Sequence, residues 1–212
     1  DASVKGRGRG GGGGGLIGFI QEMLQHCLHP EESDHDGGSV ALPALTQIAV
    51  AGLGGIGKTA AVVQMAHTEI SRSTFRFILW ASAESAASLQ NDFMHIARAV
   101  LKLPQALAPS ADAQVCRQAV LNWLQTTEKR WLLVLDNADD LTHVHGYLPT
   151  TAAQAGCGHI VMTTRVSEEH LKSELKRDVT TLTLKKLPAA GAREILLQSS
   201  GQVAATAPGN AE

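Results

Sequence analysis

Between positions 52 and 59 the chain reads Gly-Leu-Gly-Gly-Ile-Gly-Lys-Thr, a G-x-x-x-x-G-K-T string preceded by the apolar run Ile48-Ala49-Val50-Ala51 and followed by an alanine-rich stretch. A strand, a glycine loop and a helix are the context in which this string carries physical meaning. Glycines at 52, 54, 55 and 57 allow backbone conformations closed to other residues, so that N–H groups can close on phosphate oxygens. The following helix turns its positive end toward the same point, and Lys58 adds a compact charge suited to β- and γ-phosphates. Thr59 offers a hydroxyl to Mg²⁺. The expected contacts to ATP or ADP run through Gly52, Leu53, Gly54, Gly55, Ile56, Gly57, Lys58, Thr59 and Ala60.

Downstream, short apolar runs alternate with amphipathic segments, the pattern of βαβ units and a parallel sheet. Strands are predicted at 47–51, 76–81, 131–135, 159–163 and 180–184, and helices at 58–70, 89–101, 115–124 and 169–175. In the second helix Leu89, Phe93, Ile96, Ala97 and Val100 share one face that should cover the sheet, with Ser85 or Ser88 as its cap. A further helix is predicted from the spacing of Ile17, Ile20, Leu24 and Leu28, and another opens at Pro188. The fold class that follows is α/β: a three-layer P-loop NTPase fold with a five-stranded, mainly parallel sheet. No internal repeat is visible.

Composition narrows the rest. With 212 residues, 44% apolar and 18% charged, the chain can bury one substantial core. The expected organisation is a flexible Gly-rich arm at 1–15, one nucleotide-binding domain at 16–201, and a disordered tail or the start of a helical subdomain at 202–212. A formal net charge of -2 gives no strong nucleic-acid signal. Lys5, Arg7 and Arg9 in the arm lack the aromatic neighbours that an RNA-binding segment would use. Cys27, Cys116 and Cys157 show neither disulfide nor metal spacing, which fits a reduced, cytoplasmic setting. No apolar stretch approaches the roughly 20 residues that span a bilayer, so no membrane partner is expected.

The apolar run Trp131-Leu132-Leu133-Val134-Leu135 ends in Asp136, the form of a Walker B strand whose carboxylate completes a Mg²⁺ site with Thr59. Asn137 stands where a strongly hydrolytic relative of this fold carries a second acid. Asparagine can position water but cannot accept its proton, so slow turnover is expected. Asp139 and Asp140 read as solvated loop residues, as do His143 and His145. The segment His159-Ile160-Val161-Met162-Thr163-Thr164 delivers Arg165 to the strand end where nucleotides bind in open α/β sheets, so that its guanidinium can report a γ-phosphate. Trp80 and Trp131 read as core.

In this order the motifs resemble the STAND class of P-loop NTPases, in particular the NB-ARC domains of NOD-like immune and cell-death receptors. The residues that carry the resemblance are the loop 52–59, Leu132-Leu133-Val134-Leu135-Asp136-Asn137-Ala138-Asp139-Asp140 as a kinase-2 motif, and Met162-Thr163-Thr164-Arg165 as sensor 1. Phe77-Ile78-Leu79-Trp80-Ala81-Ser82 and Leu187-Pro188 with Ala192, Leu196 and Leu197 are similar to two further family segments. Phe19 stands where the family's upstream arginine is usual. The resemblance implies an adenine-nucleotide switch with Asp136, Asn137 and Arg165 at the catalytic end, self-association in the full-length protein, and a core taken from a larger signalling chain. A dedicated P-loop ATPase and a degenerate scaffold that binds no nucleotide are the alternatives.

Overall fold

The computed structural model describes residues 45–154, 157–176 and 179–184. Strands β1 (Leu45–Ala51), β2 (Phe77–Ser82), β3 (Trp131–Asp136), β4 (Gly158–Thr164) and β5 (Thr180–Thr183) form one sheet in the order β2-β3-β4-β1-β5. Every pairing is parallel, so the expected mainly parallel sheet is wholly so among the described residues.

A parallel sheet is stable when both faces are covered, and the period of two along each strand divides the core accordingly. On β3, Trp131, Leu133 and Leu135 face one cluster while Leu132 and Val134 face the other. The second cluster is closed by Ala61, Val62 and Met65 of α1 (Lys58–Arg72). The first is closed by α2 (Ala86–His95), α4 (Ala113–Thr126) and α6 (Glu168–Leu175), with two short helices, α3 (Pro104–Leu107) and α5 (Leu141–Val144), beside them. Helix, sheet and helix are the three layers. Trp131 is fully buried and donates its Nε1–H to the carbonyl of Leu124 at 3.0 Å, whereas Trp80 is only partly buried against the α1 side.

The predicted helix 89–101 is two pieces. Ser85 and Ser88 cap its start reciprocally, so both candidates take part. After His95 the chain makes a π-helical turn, Ile96–Val100, in which Leu101 N–H bonds to Ile96 O at 2.8 Å. That wider turn shifts the phase of the face: Leu89, Phe93, Ile96 and Ala97 are buried, but Val100 is 45% exposed rather than on the sheet. The predicted helices at 16–28 and from Pro188 lie outside the described residues.

Sheet order positions the site. β1 and Walker-type β3 are separated by β4, and β1 ends level with β4, Ala51 opposite Thr164. The loops leaving β1, β3, β4 and β2 therefore emerge along one edge, the carboxyl edge where open α/β sheets form their ligand crevice.

Candidate functional site: a phosphate loop facing three strand ends

The loop after β1 is anchored before it turns. Gly52 N–H bonds to Thr164 O at 3.1 Å, and Leu184 N–H bonds to Ala51 O at 2.7 Å. A Cβ at Gly52 would lie 2.9 Å from the carbonyl oxygen of Leu184, so a side chain there collides with backbone. Gly55 and Gly57 have φ of 74° and 96°, in the left-handed region that favours glycine.

Gly57 is also the N-cap of α1 and supplies no side-chain cap, and the first turn holds no acid. The free N–H groups of this turn are thus offered to an anion, with the helix dipole behind them. Lys58 is buried, and its ammonium donates to the carbonyls of Gly52 and Leu53 at 2.9 and 3.0 Å, which holds the charge over the loop. Burial lowers the Lys58 ammonium below the ordinary lysine range. Asp139 opposes that shift, Arg165 adds to it, and Asp136 opposes it.

At the end of β3, Asp136 Oδ1 accepts from Thr59 Oγ1 at 2.8 Å and from Thr163 Oγ1 at 2.5 Å. A hydroxyl and a carboxylate brought together from the phosphate loop and a neighbouring strand are hard oxygen donors of the kind Mg²⁺ takes. Thr59 and Asp136 therefore fit the ion, which when bound would neutralise phosphate charge.

β4 fastens the loop after β3 through the two buried threonines of the Met162–Arg165 segment, a role their sequence neighbourhood does not reveal. Thr163 Oγ1 accepts from Asn137 N–H at 2.9 Å, and Thr164 Oγ1 donates to Ala138 O at 2.7 Å. Asn137 takes φ 60° in this tight turn, a conformation asparagine tolerates better than long side chains do.

Asp139 corrects an expectation. It is not a solvated loop acid: its Oδ1 accepts Arg165 N–H at 2.7 Å and its Oδ2 accepts Arg165 Nε at 2.6 Å. Burial pushes the Asp139 carboxyl up, but the backbone bond, side-chain bond and charge of Arg165, with the Thr164 hydroxyl, outweigh it and hold Asp139 below the usual range. The pairing was hidden in sequence because 26 residues separate the partners and only the β3–β4 adjacency joins them. Asp140 does behave as a loop acid. It caps α5 through Thr142 and pairs with His143 at 3.2 Å.

These pieces border one cavity of about 620 Å³, lined by Gly54, Gly55, Gly57, Lys58, Thr59 and Ala60 of the loop and helix start and by Glu84, Asn137, Asp139, Asp140 and Arg165, the last lying close to Gly54. Of the expected loop contacts, Gly52, Leu53 and Ile56 do not line this cavity, and Leu53 is 61% exposed.

Comparison with known proteins agrees with this architecture. The NB-ARC domain family model matches residues 41–189. A nucleotide-binding leucine-rich repeat (NLR)-like protein of Hyaloscypha variabilis is 33% identical over 114 residues, covering 54% of this chain and 10% of that protein. The chain thus spans a small part of the relative it matches. In fold it is similar to Cdc6p from Pyrobaculum aerophilum, with a TM-score of 0.59 at 14% identity over 86% of this chain and 48% of that one. It is likewise similar to the Aeropyrum pernix ORC1 protein, solved in complex with DNA, with a TM-score of 0.54 at 16% identity over 90% of this chain and 50% of that one. A family match over most of the chain, on a sheet whose phosphate loop and strand-end arginine line one cavity and whose strand-end acid Asp136 bonds to Thr59 of that loop, identifies it as a member of the NB-ARC family of P-loop nucleotide-binding domains.

Proposed function

We propose that this domain is an ATP/ADP switch of an NLR-like signalling protein, ADP-bound and closed at rest, ATP-bound and competent for self-association when active, and reset by slow hydrolysis. The observation that carries the reading is Arg165, held by Asp139 beside the phosphate loop, where its Cδ would lie 3.9 Å from a Cβ on Gly54. A ligand shifts a conformational equilibrium only by its differential affinity for two states, and a cation that meets a γ-phosphate but not a β-phosphate supplies such a difference.

The phosphates would be held by Gly52, Gly54, Gly55, Gly57, Lys58, Thr59 and Ala60, with Mg²⁺ on Thr59 and Asp136. Asn137 in place of a second acid supports the slow limb of the cycle, since an amide cannot take a proton from water. The absence of any helix long and apolar enough to cross a membrane among the described residues is compatible with a cytoplasmic setting.

The purified chain, denatured and its released nucleotide chromatographed, should yield ADP. Turnover on the order of 10 per second, ordinary for an enzyme, would overturn the switch reading. So would calorimetry in Mg²⁺ that detects neither ADP nor ATP.

A further inference from the structure

The cavity contains one carboxylate that nothing above employs. Asp136 accepts from two threonine hydroxyls, Asp139 holds Arg165, and Asp140 is occupied by Thr142 and His143. Glu84 lines the same space, is exposed, and makes no hydrogen bond or ion pair among the described residues.

Its position is nonetheless fixed. Ser82 N–H donates to Asp92 Oδ2 at 2.7 Å, Ala83 N–H donates to Asp136 O at 2.6 Å, and Ser85 is the capping-box residue that starts α2. The backbone is tied on both sides of Glu84, so the carboxylate swings from an anchored point.

The order of strands gives that point a direction. The phosphate loop follows β1 and Glu84 follows β2, and these strands lie three places apart with β4 and β3 between them. At about 4.8 Å per strand this separates the two strand ends by roughly 14 Å. In-line displacement at a γ-phosphorus needs the leaving oxygen and the attacking water on opposite sides. A loop that holds the leaving phosphates at one end of the cavity leaves the water at the other.

We propose that Glu84 is the carboxylate that activates the hydrolytic water, the role that Asn137 cannot fill. This rests on the nucleotide reading above. Glu84 takes a proton as the water oxygen bonds to the γ-phosphorus. The bond from that phosphorus to the bridging oxygen breaks with its electron pair leaving on ADP, and the proton passes from Glu84 to solvent. Glu84 stands after β2 rather than on β3, so this carboxylate starts one strand farther from the phosphate loop than an acid at the end of β3 would.

The test is E84Q, an isosteric change at an exposed position, with E84D as the variant that keeps the acid. Three quantities separate the possibilities: single-turnover hydrolysis of ATP, calorimetric affinity for ADP and a non-hydrolysable ATP analogue in Mg²⁺, and affinity for ADP with aluminium fluoride, which mimics the attacked phosphoryl group.

E84Q should bind ADP and the analogue within twofold of wild type. It should lose at least tenfold both in hydrolysis and in affinity for the aluminium fluoride complex, the low end of general-base effects of about 10² to 10⁴. E84D should retain measurable hydrolysis above E84Q. Unchanged hydrolysis in E84Q overturns the assignment, as does wild-type chain that binds ATP and never cleaves it. Equal losses for ADP and for hydrolysis would make Glu84 part of the metal or nucleotide seat instead. Wild-type chain that binds no nucleotide removes the underlying reading, a result distinguishable from all of these.

Discussion

Asp139 grips Arg165 at two points, backbone N–H and side-chain Nε, and leaves the two terminal amino groups of the guanidinium without a hydrogen bond among the described residues. One face of the arginine is thus fixed to the turn after β3 while its distal end is available to the cavity. If that end meets a γ-phosphate, Arg165→Ala should weaken a non-hydrolysable ATP analogue by about 1.5–3 kcal/mol, the range for charged hydrogen bonds, and leave ADP almost unchanged. Equal losses for both nucleotides in calorimetry would refute the sensor role.

Asp139→Asn keeps the size of the tether and removes its charge. Because Arg165 is 66% exposed, the pair should contribute only about 0.2–1 kcal/mol to stability, as exposed pairs do. Its effect on the analogue should be smaller than that of Arg165→Ala and should vanish in the double mutant. Asp139 is held below its ordinary range, so its contribution is complete above the unfolded carboxyl value of about 3.9 and is lost as pH falls through the lower folded value. A melting temperature that responds equally to acid in wild type and Asp139→Asn would contradict this.

Lys58→Ala or Lys58→Arg should weaken nucleotide at least tenfold, or about 1.4 kcal/mol, since a planar guanidinium does not replace a compact ammonium between phosphates. The lowered Lys58 value adds a pH signature. Bound phosphate favours the charged ammonium and raises its value, so affinity is full below the free-site value and falls with rising pH between the free and bound values. Proton uptake on binding, measured in two alkaline buffers of different ionisation enthalpy, checks the sign.

Thr163→Val removes a hydroxyl that both donates to Asp136 and accepts from the Asn137 N–H. An orphaned donor at this half-buried turn should cost about 1–3 kcal/mol, visible in denaturant melts, and should also weaken Mg²⁺-dependent binding. Unchanged stability would mean water replaces the hydroxyl.

Gly158→Ala tests the opposite end of the sheet, away from the nucleotide. A Cβ there would lie 2.7 Å from Ala152 Cβ and 2.7 Å from Trp131 Cζ2. Overpacking of this kind typically costs about 1–3 kcal/mol. Thermal melting should show the loss, while nucleotide affinity of the folded fraction stays near wild type.

What could be read from sequence follows a physical division. The five strands and four longer helices were legible because each carries its own period, and the loop at 52–59 because its glycines, lysine and threonine are local in chain. Two features were not. The wide turn at Ile96–Val100 leaves the apolar spacing almost unchanged and was invisible until Val100 emerged on the surface. The Asp139–Arg165 pair and the Thr163 bridge join β3 to β4, and nothing near either residue names its partner. Glu84 is a third such case, since its relevance comes from strand order alone.

Gly52 has a consequence for how experiments on this domain are read. Its absent side chain is what allows the carbonyl of Leu184, just after the edge strand β5, to pack against the first residue of the phosphate loop. Any larger residue at 52 would wedge β5 from β1 before it touched a phosphate. A binding assay would record that wedge as a failure of recognition, although its origin would be steric and lie at the margin of the sheet. The margin of the sheet and the first residue of the loop are therefore joined through Leu184, whose N–H holds Ala51 and whose carbonyl packs against Gly52.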